Sequence, residues 1–125
     1  MKFVKCNHCG NILVFMDDKG VIPHCCGEEM EILSPGSTDG AFDKHVPVVE
    51  QDGCKVKVTV GSTIHPMMDA HYICWIAVET DCGFYKRDLK PGMEPKAEFT
   101  LCENEKVVAV YEYCNLHGLW KADAE

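Results

Sequence analysis

The sequence predicts an all-β chain in two parts: a small metal-binding domain at residues 1–36 and an antiparallel β-sandwich at residues 37–125. Two observations support this fold class. In the second part, short segments rich in β-branched and aromatic residues alternate with turn signals, which is typical of a sandwich. In the first part, four cysteines lie close together in a segment too short to form a core of its own.

The first part carries its cysteines in two pairs. Cys6 and Cys9 are separated by two residues, and after a further fifteen residues Cys25 and Cys26 are adjacent. Four thiolates from one short segment form a tetrahedral S4 site for zinc or iron. A bound metal would also supply stability that about 35 residues cannot gain from burial alone. The first pair by itself favours a plain zinc ribbon, whereas the adjacent second pair is unusual for one.

The chain between the two cysteine pairs is predicted to form a β-hairpin. Residues 12–15 have strand character, residues 17–20 contain a turn signal, and residues 21–22 are the expected return strand. Residues 34–40 are rich in Pro, Gly and Ser, so we place a linker there and the domain boundary after residue 36.

The second part reads as a series of strands. Val56, Val58 and Val60 alternate with polar residues, which predicts a strand with one buried face. Residues 72–78 are apolar on both faces and are predicted to form a central strand. Further strands are expected near residues 84–85, 97–101 and 107–113. No stretch has convincing helical periodicity, so this part is predicted to be almost all β.

A Cys-x-x-His turn follows the last of these strands. Cys114 lies where the strand stops, His117 follows three residues later, and Gly118 permits a positive φ. Such a turn can direct a thiolate and an imidazole at one metal ion. Taken alone, this spacing is only a modest signal, because a cysteine and a histidine this close together are more often unrelated.

Three further histidines occupy unusual places. His65 and His71 are separated by a segment containing Pro66, and they can meet at one metal only if residues 66–70 form a loop. His45 lies on another predicted loop, after the linker. For any one of them, a surface or buried structural role is the better interpretation. Three such histidines together with the Cys-x-x-His turn favour a metal site.

Composition excludes several classes of partner. The net charge of −8 argues against nucleic acid, and no apolar run reaches the length of a membrane span. The N-terminus has no apolar signal-peptide core, so a cytoplasmic location is expected. Nine cysteines in a reducing compartment point to metal or redox roles rather than disulfides. The four outside the predicted sites are interpreted as small apolar residues: Cys54, Cys74, Cys82 and Cys102.

Several of these motifs resemble those of superoxide reductase: residues 44–47, 65–67, 71–76 and 114–118, together with Trp120. With the desulforedoxin-like cysteines ahead of them, nearly the whole chain resembles desulfoferrodoxin, the two-iron form of that enzyme. The resemblance implies an immunoglobulin-like sandwich, a homodimer and two iron ions per chain. One iron would be an Fe(Cys)4 centre held by Cys6, Cys9, Cys25 and Cys26. The other would be an Fe(His)4(Cys) centre held by His45, His65, His71, His117 and Cys114.

The same resemblance implies an enzyme that reduces superoxide by one electron to hydrogen peroxide, with an external donor such as rubredoxin restoring the reduced iron. Four imidazoles and one thiolate leave one coordination position open, and a thiolate donates electron density toward it. Lys44, next to a ligand, would attract the anion and supply a proton. The alternative from a different class is a non-catalytic electron-transfer or metal-binding module, for which a colourless, zinc-filled protein would be evidence.

Asp43 is the one departure from the family pattern near this chemistry. The family commonly has a glutamate before the Lys-His pair, and that glutamate can cover the sixth position of ferric iron. The aspartate is shorter by one methylene, or roughly 1.5 Å. Because residue 43 is tethered through Lys44 to His45, we expect Asp43 to reach the iron poorly.

Overall fold

The computed structural model describes residues 1–124 and divides into two compact units, Met1–Ser34 and a second unit that begins at Pro35. This division lies two residues before the predicted domain boundary. The reason is that Gly36 belongs to the second unit, where its backbone N–H donates to the carbonyl of Leu119 at 2.8 Å. That the two units are independent domains stays a prediction.

The first unit is built from five short strands. They are β1 (Phe3–Lys5), β2 (Ile12–Val14), β3 (His24–Cys25), β4 (Glu28–Glu29) and β5 (Glu31–Ile32). One sheet has the order β2-β1-β5, and β3 and β4 form a separate hairpin. Strands β1 and β2 are antiparallel, and the first two cysteines lie in the turn between them. The other two cysteines lie at the turn between β3 and β4. Each cysteine pair is therefore placed at a chain reversal.

The predicted return strand at residues 21–22 is wrong, because these residues lie outside any strand. The partner of β2 is β1, and the turn between them is held by the N–H of Cys6, which donates to the carbonyl of Asn11 at 2.9 Å. Val21 is 75% exposed, and Pro23 behind it has no N–H to offer a ladder. The hairpin is instead formed by β1 and β2, with Cys6 and Cys9 in the turn between them.

The second unit is a sandwich of two antiparallel sheets, as predicted for an all-β fold. After a short helix α1 (Phe42–His45) come β6 (Pro47–Asp52), β7 (Lys55–Val60), β8 (Ile73–Thr80), β9 (Phe84–Asp88), β10 (Lys96–Thr100), β11 (Val107–Cys114) and β12 (Gly118–Asp123). The sheet orders are β10-β7-β6 and β12-β11-β8-β9. The predicted alternation is confirmed, since Val56, Val58 and Val60 are at most 1% exposed and join the core.

The central strands β8 and β11 are antiparallel, so the start of β8 and the end of β11 lie at the same end of this sandwich. Their register shifts between Tyr113 and Cys114, where β11 ends, and β12 begins again at Gly118. Gly118 has φ 77°, the left-handed conformation that the sequence predicted for this turn. The tight turn therefore presents Cys114 and His117 at the end of the sheet.

α1 is the one helix within residues 1–124, and it is four residues long. No helix in that part of the chain is long and apolar enough to cross a membrane.

Candidate metal centres

Five predicted side chains from four chain segments meet at the end of the second unit. Each contributes one potential ligand atom, and these atoms all lie within 4.8 Å of one another: His45, His65, His71, Cys114 and His117. His45 ends α1, His65 and His71 come from two separate segments of the loop between β7 and β8, and the other two come from the β11–β12 turn. The structure thus brings together all five residues that the sequence singled out.

The hydrogen bonds of His45 and His65 fix which ring nitrogens face the centre. His45 Nδ1 lies 2.8 Å from the carbonyl oxygen of Ala41, and His65 Nδ1 lies 2.7 Å from that of Pro66. A carbonyl oxygen can only accept, so each Nδ1 carries the proton and each Nε2 presents a lone pair. The two Nε2 atoms are 3.2 Å apart. Two facing lone pairs repel at this distance unless a cation lies between them.

The ring nitrogens of His117 and His71 also indicate a metal site. His117 presents Nδ1, which lies 3.1 Å from His45 Nε2 and 3.8 Å from the sulfur of Cys114. His71 Nε2 is buried and has no hydrogen-bond partner among residues 1–124. A buried polar atom without a partner is costly, and a metal ion would satisfy it. Four imidazole nitrogens and one sulfur suit iron, so these residues fit the predicted centre.

The electrostatics of the site favour neutral imidazoles. Burial lowers the pKa of His45 and His71, and it lowers the pKa of His65 to about 4. Neutral imidazole is the form that binds metals. Burial also raises the pKa of the Cys114 thiol, although the backbone N–H groups of Leu116 and His117 oppose the rise. A bound cation would supply the positive charge that a buried thiolate requires.

The four cysteines of the first unit form a second group of potential ligands, with all ligand atoms within 4.8 Å of one another: Cys6, Cys9, Cys25 and Cys26. The sulfurs of Cys9 and Cys25 are 3.6 Å apart. Adjacent side chains on a strand point to opposite faces, but Cys26 has φ 53° and this turn lets both sulfurs of the second pair face the group. The S4 arrangement fits iron or zinc.

These sulfurs do not share one protonation state in the absence of a cation. Backbone N–H groups of Cys9 and His8 lower the pKa of Cys6 to about 6, whereas the neighbouring thiols raise the pKa of Cys26 to about 12. Near pH 7 Cys6 therefore favours the thiolate form and Cys26 the thiol form. A metal ion that binds all four sulfurs must displace the remaining protons, so metal binding here releases protons.

Comparison with known proteins assigns the chain. A desulfoferrodoxin family model matches residues 37–123. The chain belongs to the desulfoferrodoxin family. The desulfoferrodoxin of Nitratidesulfovibrio vulgaris is 52% identical over 96% of this chain and 94% of that protein. The superoxide reductase from Treponema pallidum has a TM-score of 0.81 at 34% identity, covering 97% of this chain and 98% of that one.

Shorter proteins of known structure match only part of this chain. The superoxide reductase (1Fe-SOR) from Giardia intestinalis has a TM-score of 0.56 at 35% identity, and it covers 66% of this chain but 98% of its own. That structure is therefore similar to about two thirds of this chain over nearly its whole own length.

Asn115 connects two ligand-bearing segments of the desulfoferrodoxin site, and sequence reasoning missed it. Its side-chain amide donates to the carbonyl of Ala70 at 3.1 Å, and its side-chain oxygen accepts from the N–H of Tyr72 at 2.9 Å. These bonds hold both sides of His71 against the turn that carries Cys114. The position of Asn115 within the Cys-x-x-His turn is the one sequence signal that could have identified it.

The turn that carries Asp43 and Lys44 is fixed through its backbone. The carbonyl of Asp43 accepts from the N–H of Thr63 at 2.8 Å and from the hydroxyl of Ser62 at 3.2 Å. A Cβ at Gly61 would lie 2.6 Å from that carbonyl oxygen, so the approach requires glycine. The Asp43 carboxylate is exposed and is not part of the ligand group. Asp43 therefore lies outside the group of five convergent side chains, although its charge has a small raising effect on the pKa of His45.

The Lys44 side chain is exposed, and Lys44 directly precedes the candidate ligand His45 in the chain. Its charge contributes, after burial and His117, to lowering the pKa of His71. Lys44 is thus close enough to the centre to act on it electrostatically, and it remains accessible to solutes.

Glu112 is a buried carboxyl two residues before Cys114, and no sequence pattern indicated it. It is 0% exposed, and neither of its carboxylate oxygens has a hydrogen-bond partner among residues 1–124. Burial raises the pKa of Glu112 to about 9. Burial therefore favours the neutral form of this carboxyl, whose negative charge would raise the pKa of Cys114 further.

Proposed function

We propose that this chain is a superoxide reductase, which reduces superoxide by one electron to hydrogen peroxide at an Fe(His)4(Cys) centre. The observation that carries the proposal is the convergence of four imidazole nitrogens and a thiol on one point, in a chain of the desulfoferrodoxin family. The proposed ligands are His45, His65, His71, His117 and Cys114.

The chain's own residues prepare this centre for a metal. The carbonyls of Ala41 and Pro66 hold the Nδ1 protons of His45 and His65, so that both rings keep Nε2 free as a ligand. Burial favours the neutral form of His45, His65 and His71, and Cys114 provides the single anionic ligand. Bound iron would supply the electron that superoxide takes up, with the thiolate increasing electron density at the metal.

Lys44 is proposed to attract superoxide and to deliver a proton from Nζ. The chain carries a net charge of −8, which would repel an anion, but charges beyond roughly 8 Å are largely screened at physiological salt. An exposed ammonium near the centre therefore dominates locally, since a charge pair at about 4 Å is worth roughly 1 kcal/mol even in water. Hydrogen peroxide also needs two protons that superoxide lacks, and Nζ can supply one.

Asp43 is proposed not to ligate the oxidised iron directly. Its backbone carbonyl is held by Thr63 and Ser62, and Gly61 lies against it, so the turn has little freedom to move the short side chain inward. The carboxylate stands outside the group of converging ligand atoms.

We propose that Cys6, Cys9, Cys25 and Cys26 hold the second iron as an Fe(Cys)4 centre, which the S4 geometry supports. An external donor such as rubredoxin is proposed to restore the reduced state, and two chains are proposed to form a homodimer. These last two proposals rest on family membership alone.

The two units are also proposed to be separable domains. Gly36 bonds to Leu119, so a fragment of the second unit should begin at residue 35 rather than at residue 37. We expect residues 35–125 to bind one iron and to reduce superoxide. A folded, iron-loaded but inactive fragment would mean that the first centre is required for catalysis.

The activity is tested by pulse radiolysis of the reduced, two-iron protein, with peroxide yield as the deciding measurement. A reductase yields one hydrogen peroxide per superoxide consumed and no oxygen, whereas a dismutase yields one peroxide and one oxygen for every two. The same protein with zinc in the His/Cys site is the control, because zinc has no redox chemistry. A non-catalytic electron-transfer or metal-binding module would leave the superoxide decay equal to that of the zinc control.

A further inference from the structure

Trp120 lies directly behind the His/Cys centre. It is 1% exposed and belongs to β12, which starts one residue after His117. No charge or ligand atom of its own points at the centre. What distinguishes it is that it contacts two of the four imidazole-bearing residues in different ways.

The first contact is with the ring of His45. The indole and the imidazole are stacked, with centroids 4.9 Å apart and an angle of 28° between their planes. His45 also donates Nδ1–H to Ala41, which fixes one edge of the ring but leaves its plane free to tilt about that bond. Stacking on Trp120 removes this freedom, because an offset-stacked pair has a preferred relative orientation.

The second contact is with the backbone of His117. The indole N–H donates to the carbonyl oxygen of His117 at 2.9 Å, and the hydroxyl of Thr38 donates to the same oxygen. These bonds hold the peptide that follows the His117 side chain. His45 and His117 are 72 residues apart in the sequence, and their rings stand at 86° to one another. Trp120 is therefore a rigid body that both ligand-bearing segments contact.

Gly40 lies close to Trp120, His45 and His117. A Cβ at this position would lie 3.0 Å from Cζ2 of Trp120, 3.2 Å from Cε1 of His45 and 3.3 Å from Cβ of His117. The backbone at residue 40 thus fills the space where the indole and both ligand residues meet. Any side chain there would push at least one of them away.

From these contacts we infer that Trp120 and Gly40 are positioning residues, which set the angle between the His45 and His117 rings before a metal binds. The inference rests on the proposed function, because it takes both imidazoles as iron ligands. Groups that orient a metal ligand typically contribute roughly 10–100-fold to metal affinity or activity. Here one indole orients two ligands from distant parts of the chain.

A large buried tryptophan could equally serve only to fill the core, so the test needs a readout of the metal site itself. Trp120→Phe keeps an aromatic face for His45 but removes the N–H that holds His117. Trp120→Leu removes both contacts. Gly40→Ala leaves Trp120 in place and adds a methyl group among the three residues. Trp75→Phe, at the other tryptophan of the chain, is the matched control because Trp75 belongs to a different strand, β8, where its ring stacks on Tyr113.

Each variant is expressed as the full chain and loaded with iron. Circular dichroism reports the fold, the thiolate-to-iron absorption band of the oxidised protein reports ligand geometry, and the rate of iron transfer from the His/Cys centre to a chelator reports how well the site holds its metal. None of these readouts requires turnover.

We expect Trp120→Phe and Gly40→Ala to stay folded, to shift the absorption band and to release iron roughly 10–100-fold faster than wild type. Trp75→Phe should match wild type in both readouts. Folded Trp120→Phe and Gly40→Ala proteins with wild-type band and release rate would overturn the inference. So would loss of the fold in all three variants, since Trp120 would then be a core residue only. A wild-type protein that neither binds iron at these residues nor shows the band would instead refute the proposed function.

Discussion

The side-chain oxygen of Asn115 accepts a hydrogen bond from the backbone N–H of Tyr72 at 2.9 Å, and the Asn115 amide donates to the carbonyl of Ala70 at 3.1 Å. One side chain thereby holds both neighbours of His71. The loop that carries His71 is consequently attached to the turn that carries Cys114.

Asn115→Asp should loosen His71 and weaken iron binding at the His/Cys centre by roughly tenfold or more. The aspartate keeps an acceptor for Tyr72 N–H, but it cannot donate to the Ala70 carbonyl and it brings a negative charge against that oxygen. Competition with a chelator measures the effect. Gln51→Ala, which removes an exposed amide bonded to Gly53 in the same unit, is the control. Equal iron affinities for Asn115→Asp, the control and wild type would show that the hydrogen bonds of Asn115 do not support the centre.

Local sequence patterns were sufficient for the all-β fold and for the Cys-x-x-His turn, whereas the full set of five ligands was expected from the resemblance to superoxide reductase. Alternating valines mark β7, and Cys114 and His117 lie within one turn. The supporting contacts were not predictable, because they join residues that no local pattern connects. Asn115 and Ala70 are 45 positions apart, and only the packed sandwich makes them neighbours. The return strand at residues 21–22 was wrong for a related reason, since the hairpin pattern could not reveal that β1 already pairs with β2.

Cys114→Ser should keep the sandwich folded and lose both the thiolate-to-iron band and most of the activity. The side chain is 0% exposed and the serine is slightly smaller, so packing changes little, but a hydroxyl is a poor substitute for a soft thiolate ligand. Visible absorption of the oxidised protein, circular dichroism and peroxide yield check the three parts of this prediction. Cys54→Ser, at an exposed cysteine outside both ligand groups, should behave as wild type. Wild-type activity in Cys114→Ser would remove the thiol from the mechanism.

Glu105 makes the free energy of unfolding of the sandwich depend on pH. Its carboxylate accepts from the hydroxyls of Thr80 and Tyr85 and from the N–H of Cys102. These bonds, led by the one from Thr80, lower the pKa of Glu105 below its ordinary value of 4.5. A carboxyl whose pKa is depressed by folding stabilises the protein above its unfolded pKa, and this contribution is lost as the pH falls through the folded pKa.

Glu105→Gln should therefore unfold at a lower temperature than wild type near neutral pH, and the difference should shrink as the pH falls below 4.5. Thermal unfolding of both proteins over this pH range provides the measurement. Glu103→Gln, an exposed residue in the same turn, removes one negative charge without these bonds and should have no such effect. A Glu105→Gln difference that stayed constant with pH would mean that the carboxylate's charge is not what stabilises the loop.

Variants of Asp43 test whether the carboxylate occupies the sixth coordination position of the oxidised iron. Its backbone is fixed by Thr63 and Ser62, and its side chain is shorter by roughly 1.5 Å than a glutamate at the same place. If the carboxylate cannot reach the iron, the sixth position of the oxidised centre is open to exogenous anions. Reduction itself should not depend on Asp43, because superoxide needs that position free.

The measurement is the visible spectrum of the oxidised protein across mildly acidic to alkaline pH, with and without azide, for wild type, Asp43→Ala and Asp43→Glu. Wild type should resemble Asp43→Ala and bind azide readily. Asp43→Glu should shift the band and resist azide, because the added methylene restores the missing reach. All three proteins should reduce superoxide at similar rates. A wild-type spectrum that matches Asp43→Glu and resists azide would mean that the aspartate ligates the iron, and that the turn at residues 41–44 adjusts more than its backbone hydrogen bonds indicate.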